Sequence, residues 1–183
     1  MSPAQLLATA VRLLEAAAVP YMVSGSYASS FHGEPRATLD LDIVIGPEPH
    51  SLERLVASLQ DVGFYVDSGA ASTALAERSE FNAIGADASK IDFVVCKDRP
   101  FSRTELARRM PADLLGTRGY IATVEDMIIV KLEWAAASDS ERQLRDVEGM
   151  LAANVGALDE PYLDRWIRIL GLSEIWQRVA GRA

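Results

Sequence analysis

The sequence predicts an α+β fold, with a small mixed β-sheet flanked by helices and followed by a C-terminal helical extension. The predicted elements run helix, strand, helix and then paired strands, an order that suits such a sheet, and every element predicted after residue 123 is a helix. The 183 residues are 49% hydrophobic and 24% charged, a composition that can bury a real core. We therefore expect residues 1–122 to form the α+β core and residues 123–183 to form a helical part packed on it.

Apolar periodicity and turn signals locate the elements in the first half of the chain. Alternating apolar and polar residues indicate strands, a 3.6-residue apolar repeat indicates helices, and glycine, proline and serine mark the connections. In chain order, these signals predict a helix at 3–18, a strand at 19–24, a short helix at 26–33, a strand at 38–46, a helix at 50–61 and a strand near 64–67. Residues 68–72 (SGAAS) are small and polar, which is typical of a mobile loop.

The same signals locate the elements of the second half. They predict strands at about 79–86 and 90–96, a helix at 101–109, a short strand or hairpin around 116–120, and helices that begin near residues 124, 139, 159 and 173. The last two helices carry apolar residues at i, i+3, i+4 and i+7, among them Trp166 and Trp176. We expect these tryptophans to pack in the core, because clean helical spacing marks a buried face.

The sequence carries none of the signals of membrane insertion or secretion. No stretch approaches the roughly 18 consecutive apolar residues of a membrane span, and the amphipathic N-terminal helix lacks the basic start and cleavage site of a signal peptide. Cys96 is the only cysteine and cannot form an internal disulfide, so we expect it to fill the core of a cytoplasmic protein. Neither His32 nor His50 has a partner at ligand spacing, which argues against zinc.

The overall charge argues against a general nucleic-acid binder. The net charge is −8 and the pI is about 4.8, whereas phosphate backbones require a basic surface. Residues 97–118, the basic segment, nevertheless carry six basic residues against three acids, a local net charge of +3. The basic residues are Lys97, Arg99, Arg103, Arg108, Arg109 and Arg118. The segment has two interpretations, a solvated helix face or a surface that guides a phosphate backbone.

Two acids on one predicted strand are the first candidates for a functional site. In residues 39–45 (LDLDIVI) apolar and polar residues alternate, so Asp40 and Asp42 point out of the same strand face. Like charges on one face are destabilising, and a divalent cation between the two carboxylates relieves their repulsion. The alternative is that both acids simply point into water at the end of a strand.

A glycine and a serine at the start of a predicted helix are the second candidate. Gly25 lets a ligand approach the backbone closely, and Ser26 can cap the helix or donate its hydroxyl to a phosphate oxygen. The free N–H groups and partial positive charge of a helix N-terminus favour an anion there. Strand, Gly-Ser and helix together indicate a phosphate site, although a Gly-Ser pair alone is merely a helix cap.

A third acid interrupts another apolar strand. Asp92 lies in residues 90–96 (KIDFVVC), and on a strand adjacent to that of Asp40 and Asp42 it completes a cluster of three carboxylates. Such a cluster can hold two Mg²⁺ ions about 3.5–4 Å apart, the geometry that supports in-line phosphoryl or nucleotidyl transfer. The sequence therefore predicts a two-ion site built on two strands.

A lysine on an otherwise apolar helix is the fourth candidate. Lys131 falls on the apolar stripe of that helix, so its ammonium needs an internal carboxylate, an anionic cleft or a route to the surface. Thr123 and Asp126 match a capping box at the start of the same helix. On the next helix, Arg145 and Asp146 share a face that either borders a site or is a solvated charged face.

Together these residues resemble the nucleotidyltransferases of the DNA polymerase β superfamily. They are most similar to the small AbiEii-like bacterial enzymes, several of which are toxins of type IV toxin–antitoxin pairs. The likeness runs from Tyr21 to about Gly149 and rests on an apolar strand, Gly-Ser, a spacer, Asp-x-Asp and a later lone Asp. The run GEPRATLDLD, which contains Arg36 and Thr38, is also similar. Arg145 stands where many relatives carry Lys, which keeps the charge but changes the donor geometry.

The resemblance implies a nucleotidyltransferase core that moves a nucleoside monophosphate from an NTP to an acceptor hydroxyl and releases pyrophosphate. It implies that Asp40, Asp42 and Asp92 hold two Mg²⁺ ions, with Mn²⁺ as a substitute. It further implies that Gly25 and Ser26 hold the β- and γ-phosphates. The remaining residues implied to act in catalysis or nucleotide binding are Lys131, Arg36, Thr38, Arg145 and Asp146.

The expected partners are the NTP, a macromolecular acceptor, either an RNA 3′ end or a protein, and a cognate antitoxin if the chain is a toxin. Two alternatives stay open. A catalytically silent nucleotide-binding or antitoxin-like partner would keep the fold. An aminoglycoside- or lincosamide-modifying enzyme would share the chemistry and differ in its acceptor. The intact carboxylates favour an enzyme over a silent partner.

Overall fold

The computed structural model of the protein describes residues 1–34 and 40–181. These residues form two compact units. Unit 1 combines residues 1–27 with 40–122 and contains the sheet, and unit 2 combines residues 28–34 with 123–181 and is helical. The expected division of the chain into domains at 1–122 and 123–183 stays a prediction.

In the described part of the chain, unit 1 is built on a mixed sheet of six strands, which confirms the predicted α+β class. The strands are β1 (Tyr21–Val23), β2 (Asp40–Ile45), β3 (Glu80–Ile84), β4 (Lys90–Val95), β5 (Met110–Leu114) and β6 (Thr117–Ile121). Their order across the sheet is β3-β4-β2-β1-β6-β5. β2 runs parallel to β4 and β1 runs parallel to β6, whereas the other neighbours are antiparallel. β1 and β2 therefore lie in the middle of the sheet.

Several of the helices begin at a capping side chain or a proline. The helices are α1 (Pro3–Ala16), α2 (Gly25–His32), α3 (Pro49–Asp61), α4 (Ser68–Glu77), α5 (Pro100–Arg108), α6 (Val124–Ser138), α7 (Glu141–Ala153), α8 (Glu160–Ile169) and α9 (Ser173–Ala180). α1 opens on a capping box between Ser2 and Gln5, and α3 and α5 open on proline, which lacks the N–H that would be unsatisfied there. None of the described helices is long and apolar enough to span a membrane.

The strand predicted near 64–67 is wrong. The chain makes a single bridge there, in which Tyr65 and Ile84 exchange two backbone hydrogen bonds of 2.8 and 3.0 Å. No strand follows, because α4 begins at Ser68 and takes the chain away from the ladder. The hairpin predicted around 116–120 is confirmed as the β5–β6 pair.

The mobile loop predicted at 68–72 is also wrong, because these residues are the first half of α4. The carboxylate of Asp67 accepts the Ala70 N–H at 2.9 Å and so caps the helix. The alanines that follow favour helix, and Ala71 and Ala74 are buried. Cap and burial together decide the conformation of a segment whose small residues suit either state.

The neighbouring strands β2 and β4 have one apolar and one polar face. Along both strands, buried residues alternate with residues that are partly or fully exposed. The buried residues are Leu41, Ile43, Ile45, Ile91, Phe93 and Val95. They form part of the core of unit 1, and the charged side chains of the two strands are left on the opposite face.

In unit 2, α6 contacts each of α7, α8 and α9. It is apolar nearly all round, and Met127, Ile128, Ile129 and Leu132 are fully buried. Trp166 on α8 is 4% exposed, which confirms its predicted packing role, and Trp176 on α9 is half-buried.

Candidate functional site

The parallel pairing of β2 and β4 brings the three predicted carboxylates together. In its register, Asp42 lies opposite Asp92 and Asp40 lies opposite Lys90. Residues in register on neighbouring strands point to the same face of a sheet, so all four side chains project from the polar face of the sheet in unit 1. The three acids therefore lie on adjacent strands, as the sequence predicts.

Gly25 packs directly against the side chain of Asp42. Its φ of +59° is in the left-handed region, and a Cβ added there would lie 2.6 Å from the Asp42 Cβ and overlap the carboxylate. The Ser26 N–H at the start of α2 donates to Asp42 Oδ2 at 3.4 Å, and the Ser24 N–H donates to the Asp42 carbonyl at 2.9 Å. In the structure, the close approach at Gly25 is made by Asp42, and the N-terminus of α2 stabilises its charge. A phosphate contact at Gly25 and Ser26 stays a prediction.

Gly25→Ala is expected to destabilise the protein by about 1–3 kcal/mol, because alanine is strained at this φ and its methyl group meets Asp42. The displacement of Asp42 should also weaken Mn²⁺ binding. Gly171→Ala is the matched control, since Gly171 has a φ of +70° and open space at its Cβ position. Urea unfolding and Mn²⁺ titration measure the two effects. Equal losses in both variants would show that only backbone strain is involved.

Lys90, which the sequence analysis did not single out, completes the polar face. Its Nζ donates to Asp92 Oδ1 at 2.8 Å, and the Lys90 and Asp92 side chains are 41% and 22% exposed. The hydrogen bond to Asp92 raises the pKa of Lys90 above its ordinary value, the charges of Asp92, Asp40 and Asp42 raise it further, and desolvation by burial opposes the rise. All three carboxylates thus act on one ammonium. The signal was present in the sequence, because Lys90 and Asp92 are two residues apart on a strand and share a face.

Asn82 extends the polar row onto a third strand. It is exposed, and it is the antiparallel partner of Asp92 on β3. Asp42, Asp92 and Asn82 therefore lie side by side on β2, β4 and β3. The Asn82 amide adds an uncharged donor and acceptor beside the carboxylates. The sequence does not reveal that Asn82 lies beside Asp92, because alternation along β3 does not show which strand β3 pairs with.

The carboxylates do not converge on one point. Within residues 1–34 and 40–181, no group of three or more histidine, cysteine, aspartate or glutamate side chains is arranged to hold a metal ion. Asp42 accepts from the start of α2 and Asp92 accepts from Lys90, so each already faces a positive partner. The donor set still fits Mg²⁺ or Mn²⁺, since it consists of carboxylate oxygens and this face already holds the Lys90 ammonium.

Lys131 lies in unit 2, where it reaches an internal carboxylate. Its Nζ is 2.9 Å from Asp146 Oδ2, and the two side chains are 7% and 11% exposed. Arg145, the residue before Asp146 on α7, is exposed, so the two predicted nucleotide-binding residues of this helix have opposite environments. Arg36 and Thr38 lie outside the described residues. A nucleotide contact of any of these side chains stays a prediction.

Asp126 lies in the first turn of α6, which is capped by Thr123. Thr123 Oγ1 accepts the Asp126 N–H at 3.2 Å and donates to Asp126 Oδ2 at 2.7 Å. The Tyr162 hydroxyl on α8 donates to Asp126 Oδ1 at 2.5 Å, and the carboxylate is fully buried. Thr123 is confirmed as the N-cap of α6, and Tyr162 is a partner of Asp126 that the sequence did not predict.

Part of the charge of the basic segment is engaged in local contacts. Arg103 pairs with Asp98, and Arg109 lies over the ring of Tyr120 with its guanidinium carbon 4.9 Å from the ring centroid. Arg108 and Arg109 are half-buried. The exposed basic residues of the segment are Lys97, Arg103 and Arg118. Neither sequence interpretation describes the segment as a whole, because its arginines differ in exposure and in partner.

No protein-family model and no curated protein matches the sequence. Solved structures do match. The lincosamide antibiotic adenylyltransferase LnuA, bound to lincomycin, has a TM-score of 0.57 at 11% identity over 82% of this chain and 96% of that chain. ANT(2″)-Ia in complex with adenylyl-2″-tobramycin has a TM-score of 0.60 at 12% identity over 96% and 99% of the two chains. An antigenic nucleotidyltransferase-like protein from Paracoccidioides brasiliensis has a TM-score of 0.58 at 16% identity over 98% and 92%.

The protein has a nucleotidyltransferase fold. At these identities the likeness establishes the fold and nothing finer. The expected nucleotidyltransferase core is thus confirmed as an architecture, and membership of the AbiEii-like branch stays a prediction. In unit 1, the candidate functional site consists of the acids of β2 and β4 together with the start of α2.

Proposed function

We propose that the protein is a divalent-ion-dependent nucleotidyltransferase, which moves a nucleoside monophosphate from an NTP to an acceptor hydroxyl and releases pyrophosphate. The observation that carries the proposal is the register of β2 and β4, which sets Asp42 directly beside Asp92, with Asp40 on the same face. The start of α2 lies against Asp42. Three carboxylates next to a helix N-terminus are what a metal-bound triphosphate requires.

The carboxylates have separate roles in this proposal. Asp40 and Asp42 would hold the ion that accompanies the nucleotide, and Asp42 and Asp92 would hold the ion beside the acceptor hydroxyl. When bound, Mg²⁺ or Mn²⁺ neutralises the charge that develops on the attacking and leaving oxygens. Asp92 would hold the ion beside the acceptor hydroxyl, and that ion would lower the hydroxyl's pKa. The N–H groups at the start of α2, together with the Ser26 hydroxyl, bind the β- and γ-phosphates.

The proposed roles of the residues of unit 2 have less structural support than those of the carboxylates. The buried Lys131–Asp146 pair joins α6 to α7, and we propose from the resemblance alone that Lys131, Arg145 and Asp146 contribute to nucleotide binding. A direct contact of Lys131 with the triphosphate requires the ammonium to leave Asp146. The charge of the pair is already balanced, so a positioning role agrees better with its burial.

For the acceptor we propose a macromolecule, with an RNA 3′ end ahead of a protein hydroxyl, in the manner of a toxin–antitoxin toxin. The support is the resemblance of the motif region and the exposed Lys97, Arg103 and Arg118 of the basic segment. A cognate antitoxin is then the expected partner. An aminoglycoside or lincosamide acceptor is the alternative, since LnuA and ANT(2″)-Ia are named with such compounds.

The test is a labelling experiment with the purified full-length protein. It is incubated with each NTP carrying label at the α-phosphate, Mg²⁺ or Mn²⁺, and total RNA, total protein, lincomycin or tobramycin in turn. We expect α-label on one acceptor class, and in a parallel reaction γ-label in pyrophosphate. Label from the γ-phosphate on the acceptor would indicate a kinase and overturn the proposal. No transfer with any acceptor would favour the catalytically silent partner.

A further inference from the structure

We propose that Lys90 is the resident counter-ion of the carboxylate face, and that a divalent ion must displace its ammonium from Asp92 in order to bind. The inference rests on the proposed function, because it concerns the ions that the reaction uses. It makes Lys90 a positioning residue, which sets the affinity of the site for metal and takes no part in the chemistry itself.

The geometry puts the ammonium where an ion would be needed. Lys90 Nζ donates to Asp92 Oδ1 at 2.8 Å, and the register puts Asp42 beside Asp92 and Asp40 beside Lys90. Any ion held by Asp42 and Asp92 together would lie within a few ångströms of Nζ. Two positive charges at that separation repel each other strongly, even with partial solvent screening. The ammonium must therefore move before the carboxylates can turn to a common ion.

Lys90 is able to move. Its side chain is 41% exposed, and a four-carbon stem with several rotatable bonds can carry the ammonium to solvent. A partly exposed lysine–aspartate pair is only weakly stabilising, so the Lys90–Asp92 pair can open when an ion binds. Displacement therefore lowers the affinity for metal without abolishing it.

The same ammonium stabilises the face when no ion is bound. Asp40, Asp42 and Asp92 lie on two adjacent strands, where like charges are destabilising, and Lys90 is a cation that contacts Asp92 and lies on the same face as the other two. Removal of the ammonium should therefore have two opposite consequences. The ion-free protein should become less stable, and its affinity for a divalent ion should rise.

The experiment is a Mn²⁺ titration of the full chain without nucleotide, followed by electron paramagnetic resonance or calorimetry. We expect Lys90→Met to bind Mn²⁺ about tenfold more tightly than wild type, because a repelling charge is gone. Lys90→Arg keeps the charge and should bind like wild type. Lys97→Met is the matched control, since it removes the same charge from an exposed lysine about 20 Å further along the chain.

Thermal unfolding supplies a second readout. In EDTA, Lys90→Met should melt below wild type, and saturating Mn²⁺ should raise its melting temperature by more than it raises that of wild type. Lys97→Met should show neither change. Lys90→Gln serves as a second charge-removing variant if the methionine promotes aggregation.

The outcomes separate this inference from the proposed function. If Asp42→Asn abolishes Mn²⁺ binding but Lys90→Met binds no more tightly than wild type, the counter-ion proposal is overturned and the proposed metal site stands. If wild type binds Mn²⁺ and Asp42→Asn does not weaken that binding, the ion lies elsewhere and both fail. Both also fail if no variant binds Mn²⁺ with or without an NTP.

Discussion

Asp42→Asn is expected to reduce nucleotide transfer about a thousandfold or more while leaving the fold intact, because transition-state charge stabilisation by metal is worth several kcal/mol. Asparagine has the shape of aspartate, so it still fits against Gly25, and its carbonyl oxygen can accept the Ser26 N–H. What it lacks is the negative charge beside Asp92. Relief of like-charge repulsion should leave the stability equal to or above that of wild type.

Transfer rates, Mn²⁺ binding and urea unfolding of the same preparations check this prediction. Asp92→Asn should behave in the same way, although it also removes the partner of Lys90. Asp61→Asn is the matched control, since Asp61 is exposed at the end of α3 and belongs to the same unit. Near wild-type transfer by Asp42→Asn would contradict the proposed metal site. Unfolding of both Asp42→Asn and Asp92→Asn would indicate that the acids have a structural role.

Lys131→Met is expected to lower the free energy of unfolding by about 3–5 kcal/mol, because it leaves the carboxylate of Asp146 buried without its cation. The Nζ–Oδ2 distance of 2.9 Å and the 7% and 11% exposure of the two side chains make this a buried pair. The resemblance implied instead that Lys131 acts in catalysis or nucleotide binding. From the sequence, the Lys131 ammonium could reach an internal carboxylate, an anionic cleft or the surface. In the structure it reaches an internal carboxylate, that of Asp146.

Denaturant unfolding with a double-mutant cycle measures the size of this pair's contribution. Adding Asp146→Asn to Lys131→Met should recover part of the lost stability, since it removes the uncompensated charge. Arg145→Met, on the neighbouring exposed position of α7, should change stability by less than about 0.5 kcal/mol. If Lys131→Met has an unchanged unfolding midpoint and binds NTP more weakly, Lys131 contacts the triphosphate instead of stabilising the core.

The local patterns of the sequence determined the elements and the faces that carry function. The alternation of apolar and polar residues in LDLDIVI and KIDFVV predicts that Asp40, Asp42 and Asp92 project from the polar face of their strands. In the structure, buried and partly exposed residues alternate along β2 and β4 in this way. Thr123 predicted the cap of α6, and Gly25 predicted a close approach to the backbone. These features depend on residues a few positions apart, whose geometry is set by the backbone of one element.

Only the tertiary structure decided which groups meet. Alternation assigns a side chain to a face but does not choose the neighbouring strand or its register, so the contact of Asp42 with Gly25 and the places of Asp42 and Asn82 on either side of Asp92 needed the assembled sheet. The same limit applies between helices. An ammonium on the apolar stripe of a helix needs an oppositely charged partner, but the sequence does not show which residue supplies it. The packing of α7 on α6 made that partner Asp146 and so decided the environment of Lys131.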